Sequence, residues 1–143
     1  MTRSELGKHI MSVGLVGILL ALALGSVDTE QDTKKVQSQA PAHRITANAL
    51  FAEYKANEVA ADAKYKGKIV IVSGVIQKIG KDVLDQAYIV IGGKGFLDGV
   101  QCTFAESQNA SIARLSKGQK VTVKGEVKGK MMGHILVSKC SLQ

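Results

Sequence analysis

The sequence predicts a mainly β domain: a five-stranded Greek-key barrel with a helix ahead of it and a short helix between strands three and four. Two observations carry that prediction. Gly67-Lys-Ile-Val-Ile-Val-Ser-Gly74 and Gly118-Gln-Lys-Val-Thr-Val-Lys-Gly125 each place apolar residues between glycines seven apart. Each reads as a turn glycine, a strand, and a second glycine where the strand bends, as the corners of a small closed barrel require. The second observation is the order of elements, which is helix, three strands, short helix, two strands.

Thr46 is a candidate N-cap. Leu50, Phe51, Tyr54 and Ala61 then share one helical face, and alanine is frequent, so a helix is expected over residues 47–63. Tyr65-Lys66-Gly67 leaves it for strand one, residues 68–79, where Ile69 to Val72 are β-branched in succession and both faces are expected to be covered. Gly80-Lys81-Asp82 is a turn signal. Strand two covers residues 87–91, and Gly92-Gly93-Lys94-Gly95 is read as a hairpin turn. Strand three covers residues 99–104, with Val100, Cys102 and Phe104 inward. Residues 106–115 carry Ile112 and Leu115 and stop at Gly118, as a short helix ended by glycine does. Strand four, residues 119–128, points Val121, Val123 and Val127 inward and Lys120, Thr122, Lys124, Glu126 and Lys128 outward. A turn over 129–133 leads to strand five, residues 135–142. This is the OB-fold pattern. A lipocalin-like barrel needs more strands, and an open α+β sandwich stays as the alternative.

Ahead of the barrel, Arg3 and Lys8 precede an apolar run at residues 10–25 whose only polar side chain is Ser12. A basic lead before such a run reads as an export signal. Residues 1–25 are therefore a signal peptide, cleaved before Ser26, or a retained signal-anchor spanning the membrane through residues 10–25. No cysteine follows the run, which excludes a lipid-modified cysteine there. Residues 26–44 are polar, hold the only proline, and are expected to be a flexible tether. Residues 45–143 are the OB-fold domain. Both readings of the leader place it outside the cytoplasm, periplasmic or secreted, soluble or anchored.

Of the net charge of +7, +6 belongs to residues 45–143, with fourteen basic groups against eight acids. Such an excess attracts anionic lipid, cell-wall polymer or nucleic acid, or simply solvates the surface. Aromatic residues are 4% of the chain and Trp is absent, so the core is built from Val, Ile, Leu and Ala. In an exported chain the even cysteine count favours a Cys102–Cys140 disulfide between neighbouring strands three and five, two separate buried thiols being the alternative. In strict alternation Cys140 shares a face with Leu136 and Leu142, opposite Ile135 and Val137, so a bulge is needed to bring it inward.

No catalytic constellation is present, and the domain reads as non-enzymatic. His9, His43 and His134 fall in the leader, the tether and a strand start, without partners at metal-ligand spacing, so neither metal nor cofactor is expected. Lys94 is not followed by the Ser or Thr and helix of a phosphate loop. Asn57 and Glu58 read as a hydrogen-bonding pair tying the helix to strand one, or as one edge of a ligand groove. A single-strand site needs basic groups interleaved with stacking aromatics. The candidates are Lys68, Lys78, Lys94, Lys120 and Lys124 with Tyr65 and Tyr88, supplemented by Lys81, Lys128 and Phe96. That supply of aromatics is thin. The first reading is therefore a binding module of the cell envelope that contacts an envelope protein, cell-wall polymer or lipid headgroup. Binding of single-stranded nucleic acid or another polyanion through the basic face is the alternative.

Over about residues 45–143 the chain resembles the tRNA-anticodon-type OB-fold superfamily, and within it the exported bacterial branch, tRNA-anticodon-binding-like (tRNA_anti-like). The resemblance rests on Asn57-Glu58-Val59-Ala60-Ala61-Asp62, Tyr65-Lys66-Gly67-Lys68, Val100-Gln101-Cys102-Thr103-Phe104 and Leu115-Ser-Lys-Gly118-Gln-Lys-Val121-Thr-Val123-Lys-Gly125. It implies the OB fold. It implies nucleic-acid binding only through the family's name, since a fold does not fix a function.

Overall fold

The computed structural model describes residues 28–95 and 97–143. In chain order the elements are helix α1 (Asp28–Ser38), strand β1 (His43–Thr46), helices α2 (Ala47–Ala56) and α3 (Glu58–Tyr65), and strands β2 (Ile69–Lys81), β3 (Ala87–Ile91) and β4 (Val100–Phe104). A 3-10 turn at Glu106–Gln108 leads into helix α4 (Asn109–Ile112), followed by strands β5 (Lys120–Met131) and β6 (His134–Leu142). Residues 32–143 form one compact unit. The expected signal segment, residues 1–25, and Phe96 lie outside the described residues.

The barrel depends on one long strand that serves two neighbours. The first half of β2 pairs antiparallel with β5, from Ile69 opposite Glu126 to Val75 opposite Lys120. Its second half pairs antiparallel with β3, from Ile76 opposite Ile91 to Lys81 opposite Ala87. β3 then pairs with β4, β4 runs parallel to β6, and β6 returns to β5, so β2 through β6 close into a five-stranded barrel. β1 lies outside that ring, parallel to β2. The strand changes partner between Val75 and Ile76, just after Gly74, where a Cβ would sit 3.1 Å from that of Ala47 at the start of α2. Gly125 is tighter still: a Cβ there would come within 2.7 Å of both Cys140 Sγ and Val137 Cγ1. Glycine at these positions lets strand and core approach more closely than any side chain allows.

Val70, Val72, Ile76, Ile89, Ile91, Val100, Phe104, Val123, Val127, Ile135 and Val137 fill the interior. Helices α2 and α3 add Leu50, Tyr54, Ala61 and Tyr65, and α4 adds Ile112. Burying each large side chain contributes roughly 1.5–3 kcal/mol, which is how an aromatic-poor barrel holds together. Thr46 caps α2 as expected, its hydroxyl accepting from Ala49 N. The single helix expected over 47–63 is two helices, because Asn57 is extended (φ −159°) and its side chain accepts from Ala60 N to cap α3. Glu58 pairs instead with Lys130 at 3.5 Å. Buried phenols are satisfied in the same region: Tyr54 donates to Asp62 at 3.0 Å and Tyr65 to Glu53 at 2.9 Å. The Tyr65 hydrogen bond holds the Glu53 carboxyl below its usual range against the opposing effect of burial, with help from Lys64.

The segment expected to be a tether, residues 26–44, carries helix α1 and the start of β1. Thr33 and Val36, three apart, are buried. The Gln37 amide donates to the carbonyls of Lys124 (3.2 Å) and Lys139 (2.8 Å), and Lys124 Nζ donates to the Gln37 carbonyl at 2.8 Å. Lys139 adds an ion pair with Asp32 at 3.9 Å. This contact explains why Lys124, expected to point outward, is buried.

Cys102 and Cys140, the pair expected to form a disulfide, are both buried and carry free thiols. The bulge anticipated in the last strand is there. Pairing runs from Cys102 opposite Val137 to Phe104 opposite Cys140, with a register shift between. Lys139 takes the extra step with φ +55°, and Cys140 turns inward beside Ile135 and Val137. Its thiol donates to the Val137 carbonyl at 3.4 Å, and burial, with the Cys102 thiol nearby, pushes it well above the usual thiol range.

Candidate functional site

Alternation on the barrel wall builds one outward cleft. On β3, Ala87, Ile89 and Ile91 point into the core, so Tyr88 and Val90 lie on the opposite face, where Tyr88 is half-buried and Val90 is buried. On β4, Gln101 lies outward between buried Val100 and Cys102. Lys78 pairs with Val90, and Val90 with Gln101, so three strands place these side chains side by side. The Lys78 ammonium lies over the Tyr88 ring, 5.7 Å from its centre. The ring also rests on Gly80, where a Cβ would be 3.0 Å from the phenol oxygen. The rim is completed by Gln77, by Lys94, Gly95 and Asp98 of the β3–β4 loop, by Lys117 before β5, and by His134 opening β6; together they enclose about 390 Å³.

The β3–β4 loop is fixed from below. Gly93 N donates to Asn48 Oδ1 at 2.7 Å, and Gly92 and Gly93 both have positive φ (70° and 85°). Thus the first turn of α2 holds the loop that carries Lys94 and Asp98. Burial pushes the His134 imidazole below its usual range, Lys78 pushes the same way, and Asp98 opposes. At neutral pH the imidazole is therefore uncharged, and the cleft presents three lysines against one carboxylate. Two amides and a phenol supply hydrogen bonds. This arrangement suits an anion that also carries neutral polar groups.

Of the residues singled out in the sequence, the cleft gathers Lys78, Tyr88 and Lys94. Tyr65 is buried, its ring meeting His43 edge-on at 4.9 Å. Lys124 is held by Gln37. Lys120 lines a different hollow, beside Leu142 and Gln143. Lys68 sits in the turn that opens β2, where its carbonyl accepts from Val127 N. Gln77, Val90, Asp98, Gln101, Lys117 and His134 were not anticipated. For Gln101 the signal was present: with Val100 and Cys102 inward, it must face out. Asn57 and Glu58 do not border this cleft.

The tRNA_anti-like family matches residues 6–141. No curated protein matches the chain. Among solved structures, it is similar to a lipoprotein of Klebsiella pneumoniae subsp. pneumoniae to which its name assigns nucleic-acid binding. The TM-score is 0.57 at 20% identity, over 69% of this chain and 90% of that one. Two OBodies, each solved bound to hen egg-white lysozyme, align with TM-scores of 0.43 and 0.40 at 19% and 24% identity, over 55% and 53% of this chain and 84% and 93% of theirs. At 20% identity the likeness to the lipoprotein is one of fold.

Proposed function

The chain belongs to the tRNA_anti-like family, and on that premise we propose that it is an exported, non-enzymatic OB-fold module of the bacterial cell envelope. Its cleft over β3 and β4 takes an extended anionic polymer, single-stranded nucleic acid being the first class to test. The observation that carries this reading is the convergence of Lys78, Lys94 and Lys117 around the outward Tyr88 and Gln101. Lysines lining one cleft supply phosphate contacts, while the phenol and amides offer stacking and hydrogen bonds to neutral groups. The family's name and the name of the Klebsiella lipoprotein support the ligand class. The basic lead and apolar run of residues 1–25, together with the lipoprotein character of that relative, support export.

The test is fluorescence anisotropy of labelled oligo-dT and of a single-stranded RNA against the full chain in mild detergent, across a salt series. Three phosphate contacts give a slope of log K on log salt of about −2. Lys78→Ala, Lys94→Ala and Lys117→Ala should each weaken binding and flatten the slope. Polyphosphate as competitor separates charge reading from base reading. Salt-independent binding, no binding, or a triple variant that binds as well as the parent would overturn the assignment.

A further inference from the structure

We propose that α1 is a releasable clamp on β6 that controls chemical access to the Cys140 thiol. Near its end β6 carries one residue more than either neighbouring strand. From the pair Val137–Cys102 to the pair Cys140–Phe104, two residues of β6 face one of β4. From Ser138–Glu126 to Ser141–Lys124, Lys139 and Cys140 face Gly125 alone. Lys139 takes the extra step in left-handed backbone, φ +55°, a conformation that strains lysine and not glycine. A bulge-free strand is no alternative. Strict alternation from Ile135 and Val137 would drive the Lys139 ammonium into the core. The end of β6 therefore has two states: on the barrel with the bulge formed and Cys140 inward, or off the barrel.

The contacts of α1 converge on that bulge. The Gln37 amide donates to the carbonyl of Lys139 at 2.8 Å and to that of Lys124 at 3.2 Å. Lys124 Nζ returns a hydrogen bond to the Gln37 carbonyl at 2.8 Å, and Asp32 pairs with Lys139 Nζ at 3.9 Å. All four contacts fall on the residues just before Gly125 and Cys140. α1 itself is polar and lies outside the barrel ring; Thr33 and Val36 are its buried side chains among the described residues. An element with so little buried apolar surface opens before the core does. Its release leaves the two carbonyls without the amide, breaks the ion pair and leaves the strained Lys139 unsupported. Cys140, fully buried while the bulge holds, then reaches solvent. Cys102 stays covered, because Ile89 of β3 and Val137 of β6 flank it on both sides, ahead of the bulge.

The test is native-state alkylation of the full chain in mild detergent with N-ethylmaleimide, followed by peptide mass spectrometry that reads the two cysteines separately. Gln37→Ala removes the shared amide. Val36→Asp undocks α1 without touching the bulge, and neither residue belongs to the barrel. Both variants should modify Cys140 about tenfold faster than the parent or more. Cys102 should lag well behind, and the Cys140 rate should change little at low urea, as for a local opening that exposes little surface. An unchanged Cys140 rate in Val36→Asp overturns the proposal. So does Cys102 modification rising in step with Cys140, or a rate that climbs steeply with urea, since either marks unfolding of the whole barrel.

Discussion

Joining the Cys102 and Cys140 thiols should stabilise the barrel substantially, and only if they are joined before it closes. The two strands are parallel neighbours, and the bulge at Lys139 turns both sulfurs into the core, where both residues are fully buried. The bridge would close the segment from residue 102 to residue 140. For a loop of that size the chain-entropy model gives about 4 kcal/mol. A domain near this size gains roughly 4 °C or more per kcal/mol, so the melting temperature should rise on the order of 15 °C. In the closed barrel exchange is slow, because burial pushes the Cys140 thiol well above its ordinary pKa and only the thiolate attacks. While the chain folds, one thiolate attacks oxidised glutathione and releases one glutathione thiol. The second cysteine then displaces the other. Refolding in a glutathione buffer, followed by free-thiol labelling and thermal melts with and without reductant, checks this. The reduced protein has a further signature. A thiol pKa raised on folding gives stability that is present below the unfolded value, about 8.5, and lost as pH rises above it. The oxidised protein lacks that alkaline loss. Two labelled thiols after oxidative refolding, or melts that reductant does not shift, would refute the reasoning.

Ligand binding in the cleft should strengthen as pH falls below neutral, because a phosphate beside His134 favours the imidazolium that burial and Lys78 disfavour in the free protein. His134→Ala should remove that pH dependence while leaving the salt slope from the lysines, as read by anisotropy between mildly acidic and neutral buffer. Gly125→Ala should destabilise the barrel by about 1–3 kcal/mol through overpacking, since the new methyl would meet Cys140 and Val137 at 2.7 Å; urea unfolding measures it.

The strands were legible because their signal is local. β3 matches the expected residues 87–91, and β2, β4, β5 and β6 differ from expectation only at their ends, whereas β1 was not expected as a strand. Strand β6 shows where alternation stops being enough. Read strictly, Cys140 points away from Ile135 and Val137; one left-handed residue, Lys139, reverses that. Left-handed lysine has no sequence signal of its own, though the conflict between the two cysteines' phases implied a bulge. The helical break at Asn57 was hidden differently. Ala61 continues the apolar face of Leu50 and Tyr54 across the break, so periodicity alone runs the two helices together.

The candidate site was less legible because it is made by closure. Its side chains come from β2, β3, the β3–β4 loop, β4, the turn before β5 and the start of β6, and no stretch of sequence holds more than a few of them. Charge selected the lysines, but charge does not say which outward face a lysine joins. Lys124 has the same alternation and neighbours as a solvent-facing lysine. It is buried because Gln37, 87 positions earlier, hydrogen-bonds it. That contact also explains why a polar segment forms a helix. Two buried side chains, Thr33 and Val36, and one amide shared between two strand carbonyls are enough to hold it. Composition averages those few residues away. The same averaging hid His134, which as an isolated histidine at a strand start reads as surface. Its significance comes from Lys78, 56 positions earlier in sequence and adjacent in electrostatics. Placing His134 in the cleft therefore required knowing that β6 lies beside β4, and placing Lys117 that the turn before β5 hydrogen-bonds Ile76 of β2, pairings set by the whole barrel rather than by any one segment.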